Sequence, residues 1–244
     1  MLQRGAMEST AIELEGQAGD AKRNLTQGML DALGKAIVTG RYDMRPFPTE
    51  AEIARAYGVS RSVTREAVKM LTAKGLVQAK PRQGTRVQPF QAWNLFDPDV
   101  LRWLLERKFS IEVLRHFTQL RRGIEPEAAA LAATARDGAA IDTVYRELER
   151  MRAAERGEDD PLAADIAFHL AILSASGNPF FLQFSRVVAT ALTTSIRFTN
   201  RIKGHTASIA EHRDVADAIE ARDPERARAC AALLIDNVLD LVDG

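Results

Sequence analysis

From Leu25 onward apolar residues recur three to four apart, at Leu25, Met29, Leu33, Ile37 and Val38, which places them on one face of a helix ending near Gly40. A second, shorter helix follows Pro48. Thr49 is a good N-cap with Glu52 three residues on, the reciprocal pairing of a capping box, and Ile53, Ala54 and Tyr57 then face inward. Gly58 permits a tight turn and Ser60 caps again. Val63, Ala67, Val68 and Leu71 form the buried stripe of a third helix reaching about Lys74, where Gly75 stops it. Leu76–Lys80 and Thr85–Gln88 read as two short strands around the turn Pro81-Arg82-Gln83-Gly84.

Past Pro89 the strand signals disappear. Alanine, leucine, arginine and glutamate dominate, punctuated at Ser110, Asp137-Gly138, Asp160-Pro161, Gly177-Asn178-Pro179, Gly204 and Asp223-Pro224, which predicts six or seven helices. Residues 1–21 mix Gly, Ser, Glu and Gln without sustained period and read as a disordered tail. The aromatics Trp93 and Phe96 of the junction Gln91–Pro98 are expected to pack against the two halves, and Trp103, Phe109, Phe180, Phe181 and Phe184 to lie in cores. His116 and His205 have no nameable partner and read as surface or helix-end residues. The expected fold class is mainly α: a winged helix-turn-helix over 22–90 and an all-α helical bundle over 91–244.

Charge sharpens this division. The chain of 244 residues has a net charge of zero, yet residues 22–90 hold thirteen basic against five acidic residues, a net +8. Residues 1–21 sum to −3 and residues 91–244 to −5. A compact basic block beside an acidic one is expected when one domain meets a polyanion and the other does not. One cysteine, Cys230, excludes an internal disulfide framework and a cysteine-based zinc cluster. The longest uncharged stretch, Ile166–Ser185, is broken by His169 and Gly177-Asn178-Pro179, so no membrane span is expected. No secretory leader pattern opens the sequence, and the expected address is cytoplasmic.

In a helix-turn-helix the second helix enters the major groove with its N-terminal side chains against base edges. Arg61, Ser62 and Arg65 lie within the first turn and a half of the third helix, opposite its apolar stripe, and Lys69 continues that face. An arginine pair spaced i, i+4 can offer bidentate donors to guanine, each good pair contributing about 1 to 3 kcal/mol of base discrimination. Lys80, Arg82, Gln83 and Arg86 make the hairpin basic, and Gly84 lets its backbone approach a sugar-phosphate chain. A lone basic face is usually merely solvated. Here capped helix, turn, capped basic helix and basic hairpin occur consecutively inside the +8 block.

These residues also resemble a family. Pro48-Thr49-Glu50-Ala51-Glu52-Ile53-Ala54, Gly58-Val59-Ser60-Arg61, Val63-Thr64-Arg65-Glu66-Ala67 and Gly75-Leu76-Val77 with Gly84-Thr85-Arg86-Val87 are similar to the winged helix of GntR-family bacterial repressors. The resemblance implies DNA contacts from Arg61, Ser62 and Arg65, with Gln83 and Gly84 at the wing tip; Thr49, Lys69 and Arg82 complete the expected DNA-binding set. Many members carry an arginine where this chain has Ala51.

In the second half, Asp165 and His169 are four apart on one helix and can grip one ion from successive turns, with His212 as a third ligand from a later helix beginning near Ser208. Such a set suits zinc, nickel, manganese or iron and leaves positions for water or an anion. On spacing alone an ordinary polar pair is the commoner explanation. Arg197 closes the apolar stretch Val187–Ile196, where it neutralises an acid or holds an effector carboxylate.

Arg121-Arg122-Gly123-Ile124-Glu125-Pro126, Asp165 with His169, Gly177-Asn178-Pro179 and Glu211-His212 resemble the FCD effector domain of the FadR-like GntR branch. The resemblance implies a divalent metal (Zn, Ni or Mn) at Asp165, His169 and His212, with Arg121 assisting effector binding; Asn178 and Arg197 complete the expected effector-binding set. The family's last histidine falls at or near Leu234, so three ligands remain. Trp93-Asn94-Leu95-Phe96-Asp97-Pro98-Asp99-Val100-Leu101 is similar to the junction of sugar-acid regulators in the branch.

The function expected from all this is a homodimeric transcription repressor, released from double-stranded operator DNA by a small carboxylate such as a sugar acid. The rivals are a ligand-free architectural DNA-binding dimer and a metal-dependent enzyme using Asp165, His169 and His212. The enzyme reading lacks a nucleophile, a phosphate loop and an acid-base carboxylate pair.

Overall fold

The computed structural model describes residues 24–80, 84–106, 111–135, 137–190, 192–193 and 208–243. The expected tail, Arg82, Gln83, Phe109, Arg197 and His205 lie outside them. The chain divides into two compact units, Met1–Arg107 and Lys108–Gly244.

In the first unit, helix α1 (24–38) buries Thr26, Met29, Leu30, Leu33, Ile37 and Val38. Leu25, expected on that face, is 55% exposed. A strict spacing of four advances about 400° around a helix and drifts about 40° per step. Counting back from Ile37, the true stripe therefore passes through Leu30 and Thr26. Helix α2 (Glu50–Tyr57) carries the expected capping box at Thr49 and Glu52, and Gly58 ends it at φ 65°. Ile53 and Ala54 are buried, but Tyr57 is exposed, contrary to expectation, because it sits at the rim in the last turn of a short helix. Helix α3 (Arg61–Ala73) is capped by Ser60 and buries Val63, Thr64, Ala67, Val68 and Leu71. Strands β1 (Val77–Lys80) and β2 (Gly84–Val87) pair antiparallel with Val77 opposite Val87 and Gln78 opposite Arg86.

The composition predicts a domain boundary after residue 90, whereas the compact first unit runs on through helix α4 (Pro98–Glu106). Packing explains this. Val100, Trp103 and Leu104 belong to the same core as Leu30, Leu33, Ile53, Val68 and Leu71. Lys74, at the C-cap of α3, donates to Asp97 (2.8 Å) and Asp99 (2.9 Å), and Arg102 donates to Asp31 of α1 (2.6 Å). Trp93 packs partly buried on this core with its indole N–H donated to the Gln88 carbonyl (2.9 Å), and Phe96 is 54% exposed.

The second unit is helical throughout its described residues: α5 (Ile111–Thr134), α6 (Gly138–Glu155), α7 (Pro161–Ala175), α8 (Pro179–Gln183), α9 (185–190), α10 (Ile209–Glu220) and α11 (Pro224–Asp243). Asp137, Asp160, Asn178 and Ser208 cap four of these with side-chain oxygens. Among the described residues α4 to α11 make eight α-helices past Pro89, beside a 3-10 turn at Phe90–Ala92, more than the six or seven helices expected, because the run after Asn178-Pro179 breaks at Phe184 into α8 and α9. Phe180 was expected in the core and is 73% exposed. A five-residue helix turns only one side inward, and Phe181 and Phe184, also expected in the core, are half-buried there. His116 is exposed on α5, as read from the sequence. No helix among the described residues is long and apolar enough to cross a membrane.

Candidate functional site

Two places bring the sequence-derived residues together. The first is the outer side of α3. Arg61, Ser62, Arg65 and Lys69 are all exposed there, while the opposite side is spent on the core. Arg65 Nε lies 3.7 Å from Glu50 Oε2 at the start of α2, and Lys69 Nζ lies 3.7 Å from Glu66. Ser62 Oγ stands 2.9 Å from the Ser60 cap. Thr49 is exposed and committed to its cap: it donates its hydroxyl to Glu52 (2.8 Å) and accepts from the Glu52 N–H (3.3 Å). In the hairpin, Gln78 and Arg86 face each other across the ladder, with Lys80 opposite Gly84 on the same exposed side. A basic helix side and a basic strand edge therefore remain open to solvent.

The second place is buried in the helical unit, where α5 contributes Arg121 and Glu125, α7 contributes Asp165 and His169, and α10 contributes His212. All five side chains are almost fully buried. Asp165 and His169 share a face because they are one helical turn apart, with His169 Nε2 at 3.2 Å from Asp165 Oδ1. His212 Nε2 lies 3.5 Å from the same oxygen. One ligand atom from each residue falls within 4.8 Å of the others.

The outward atoms of both rings fix what the inward atoms can be. His212 Nδ1 is 2.8 Å from the Ser208 carbonyl, which only accepts, so Nδ1 carries the proton there. His169 Nδ1 is 2.7 Å from Glu125 Oε2, a carboxylate that likewise accepts. In neutral rings each Nε2 then presents a lone pair, and both face Asp165 Oδ1. Accordingly Asp165 Oδ1 and His212 Nε2 are buried without a hydrogen-bond partner. Three lone pairs converging in a buried place repel unless a proton or a cation sits among them. The donor set of one carboxylate oxygen and two imidazole nitrogens, each ring held from behind by an acceptor, fits a divalent transition metal. Leu234 is buried in α11 and offers no donor at the family's fourth position.

Arg121, expected to face the effector, is 3% exposed and forks onto Glu125 through Nε (2.6 Å) and a terminal nitrogen (3.1 Å). That terminal nitrogen is also 3.4 Å from both ring nitrogens of His169, so Arg121 contacts the imidazole as well as Glu125. Asn178 spends its side-chain oxygen on the Phe180 N–H as the cap of α8 (2.9 Å). Glu125 is the residue that sequence reasoning missed, although the signal was present. Leu114, Thr118, Arg121, Glu125, Ala128 and Ala132 step along α5 three to four apart, which puts Arg121 and Glu125 on the buried stripe.

Burial alone would keep Glu125 protonated, but Arg121 and His169 hold its carboxyl down at about 2. Burial opposes ionisation of Asp165 too, and the two imidazoles overcome it, leaving that carboxyl well below its ordinary range. For His169 burial favours the neutral ring, yet Glu125 and Asp165 prevail against burial and the Arg121 charge, and its value is raised. The stability that Glu125 contributes is therefore complete above the ordinary glutamate value of 4.5 and lost as pH falls toward about 2. His169 acts in the opposite sense, complete below its ordinary 6.5 and lost as pH rises through its raised value. Urea midpoints of metal-free protein against pH are expected to drop between 4.5 and 2, with a smaller drop in Glu125→Gln. An identical acid limb in that variant contradicts the assignment.

Comparison with known proteins assigns each half of the chain to a family model. Residues 25–87 match the model of the bacterial regulatory proteins of the gntR family, and residues 116–237 match the FCD domain. The chain is 35% identical over 228 residues to YieP of Escherichia coli K12, an uncharacterised HTH-type transcriptional regulator, covering 91% of this chain and 98% of that one. It is 31% identical over 217 residues to the galactonate operon transcriptional repressor of the same organism, covering 87% and 94%. The solved structure of Lar from Listeria monocytogenes shares the fold, with a TM-score of 0.55 at 19% identity over 89% of this chain and 96% of that one. The relatives are regulators rather than enzymes, and the chain belongs to the GntR family, as a DNA-binding transcription regulator with an FCD effector domain.

Proposed function

We propose that the protein is a homodimeric repressor which leaves its operator when the helical unit binds a small carboxylate, such as a sugar acid, together with a divalent metal. The observation that carries this is the buried convergence of Asp165 Oδ1, His169 Nε2 and His212 Nε2, two of them without a hydrogen-bond partner. Zinc, nickel or manganese held by these three atoms keeps coordination positions open, and Leu234 fills none of them. When bound, the metal supplies a positive centre for a carboxylate. The name of the galactonate operon repressor supports a sugar acid as the ligand class.

On the DNA side, Arg61, Ser62 and Arg65 read base edges from α3, Lys69 and Thr49 approach phosphates, and Arg82, Gln83 and Gly84 enter the adjoining groove from the wing. Two such units bind half-sites related by a two-fold axis. Each neutralised phosphate adds about −0.9 to the log–log salt slope, so binding falls steeply with salt. Arg121 and Glu125 act by holding His169, and Arg121 reaches an effector only by leaving Glu125.

Thermal melting of metal-stripped protein with zinc, nickel or manganese, alone and with a panel of sugar acids, tests this reading. Any ligand that prefers the folded state raises the midpoint. The expected result is an acid-dependent shift enlarged by metal and absent in Asp165→Ala. A shift by acid that ignores both metal and Asp165 overturns the metal-assisted reading, and no shift under any combination favours the ligand-free architectural dimer.

A further inference from the structure

We infer that Glu50, the first residue of α2, is a positioning residue for DNA reading: it holds Arg65 of the recognition helix by its inner nitrogen and so directs the outer fork of that guanidinium at a base. The inference rests on Arg65 as a base contact.

A carboxylate beside a surface that meets phosphates costs affinity, so its presence there calls for a reason. Helix capping is not that reason. The free N–H groups at the start of α2 are served by the Thr49 hydroxyl and by Glu52, whose Oε2 accepts both the Thr49 N–H and the Thr49 hydroxyl at 2.8 Å. Stability is not a sufficient reason either, since the Glu50–Arg65 pair is 41% and 66% exposed at 3.7 Å and such pairs contribute little.

What the pair does achieve is orientation. The approach of Arg65 to Glu50 is through Nε, the nitrogen nearest its stem, at 3.7 Å; a guanidinium met at Nε still has its two terminal nitrogens to offer end-on to a base. Bidentate recognition of guanine uses such a planar fork, and a fork already restrained loses less freedom on binding. The restraint comes from a different helix, so it ties the reading side chain to the helix-turn-helix scaffold rather than to α3 alone. Arg61, one turn earlier, has no carboxylate ion pair of this kind among the described residues. The two arginines are thus set differently: Arg61 adaptable, Arg65 directed.

The test is selection of binding sites from random duplex DNA by the full-length protein, Arg65→Ala and Glu50→Gln, followed by fluorescence anisotropy on the selected site and its single-base variants. Glu50→Gln is expected to melt like the parent and to lose roughly tenfold preference at the positions that Arg65→Ala flattens, with the other positions unchanged. Its affinity for unselected DNA is expected to rise, because one negative charge has left each reading surface. If Glu50→Gln selects the same motif with the same preferences while Arg65→Ala does not, the positioning role is wrong and the reading of Arg65 stands. If Arg65→Ala itself leaves the motif unchanged, Arg65 is not a base contact and both fall.

Discussion

Glu125→Ala is expected to destabilise the helical unit by about 3 to 5 kcal/mol, the usual cost of removing one partner of a buried ion pair. Arg121 is 3% exposed and donates to both oxygens of Glu125, and the Nδ1 of His169 shares Oε2 with it at 2.7 Å. Deleting the carboxylate leaves the guanidinium charged and enclosed, and frees the imidazole to rotate away from Asp165. The two tryptophans, Trp93 and Trp103, both lie in the first unit, so their emission reports that unit, and circular dichroism adds the helical one. Early loss of helix with tryptophan emission retained is the expected pattern. Glu125→Gln preserves volume and gives a milder loss, and its zinc affinity is expected to fall about 10- to 100-fold, as for other groups that orient a ligating histidine. Melting and zinc binding equal to the parent's in both variants contradict this assignment.

Trp103→Ala is expected to cost about 3 to 5 kcal/mol in the first unit instead, as large aromatic deletions from cores do. Trp103 is 1% exposed, its ring lies against Gly34 of α1, and its indole N–H is donated to Asp31 (3.0 Å). A Cβ at Gly34 would stand 2.4 Å from the ring carbons, so only glycine admits this approach, and Gly34→Ala is expected to reproduce part of the loss, about 1 to 3 kcal/mol. Emission from the remaining Trp93 follows the unfolding of Trp103→Ala. Unchanged unfolding in both variants excludes α4 as part of the DNA-binding core.

These two results mark where sequence reading succeeds and where it stops. Asp137, Asp160-Pro161, Asn178-Pro179 and the Thr49–Glu52 box announce helix starts by short-range chemistry, and each stands at one. The solvent-facing side of α3 was likewise legible, because a polar side chain opposite an apolar stripe has one place to go. The allegiance of Trp103 was not, since it depends on Gly34, some seventy positions earlier, and on ion pairs from Lys74 to Asp97 and Asp99 that no local period encodes. Asp165 and His169 could be paired from their spacing, but the part played by Glu125 emerges only when α5 and α7 pack. Phe180 failed as a core residue because hydrophobicity alone does not say which side of a short helix is covered.

The claim at the centre of this account is that the buried cluster controls DNA binding. Its most direct test is fluorescence anisotropy of full-length protein on a selected operator duplex, titrated with sugar acids with and without zinc, and repeated with Asp165→Ala. The account predicts that an acid releases the DNA, that zinc lowers the concentration required, and that Asp165→Ala stays bound throughout. Release that is indifferent to zinc and to Asp165, or an operator complex that persists under the whole panel, contradicts it.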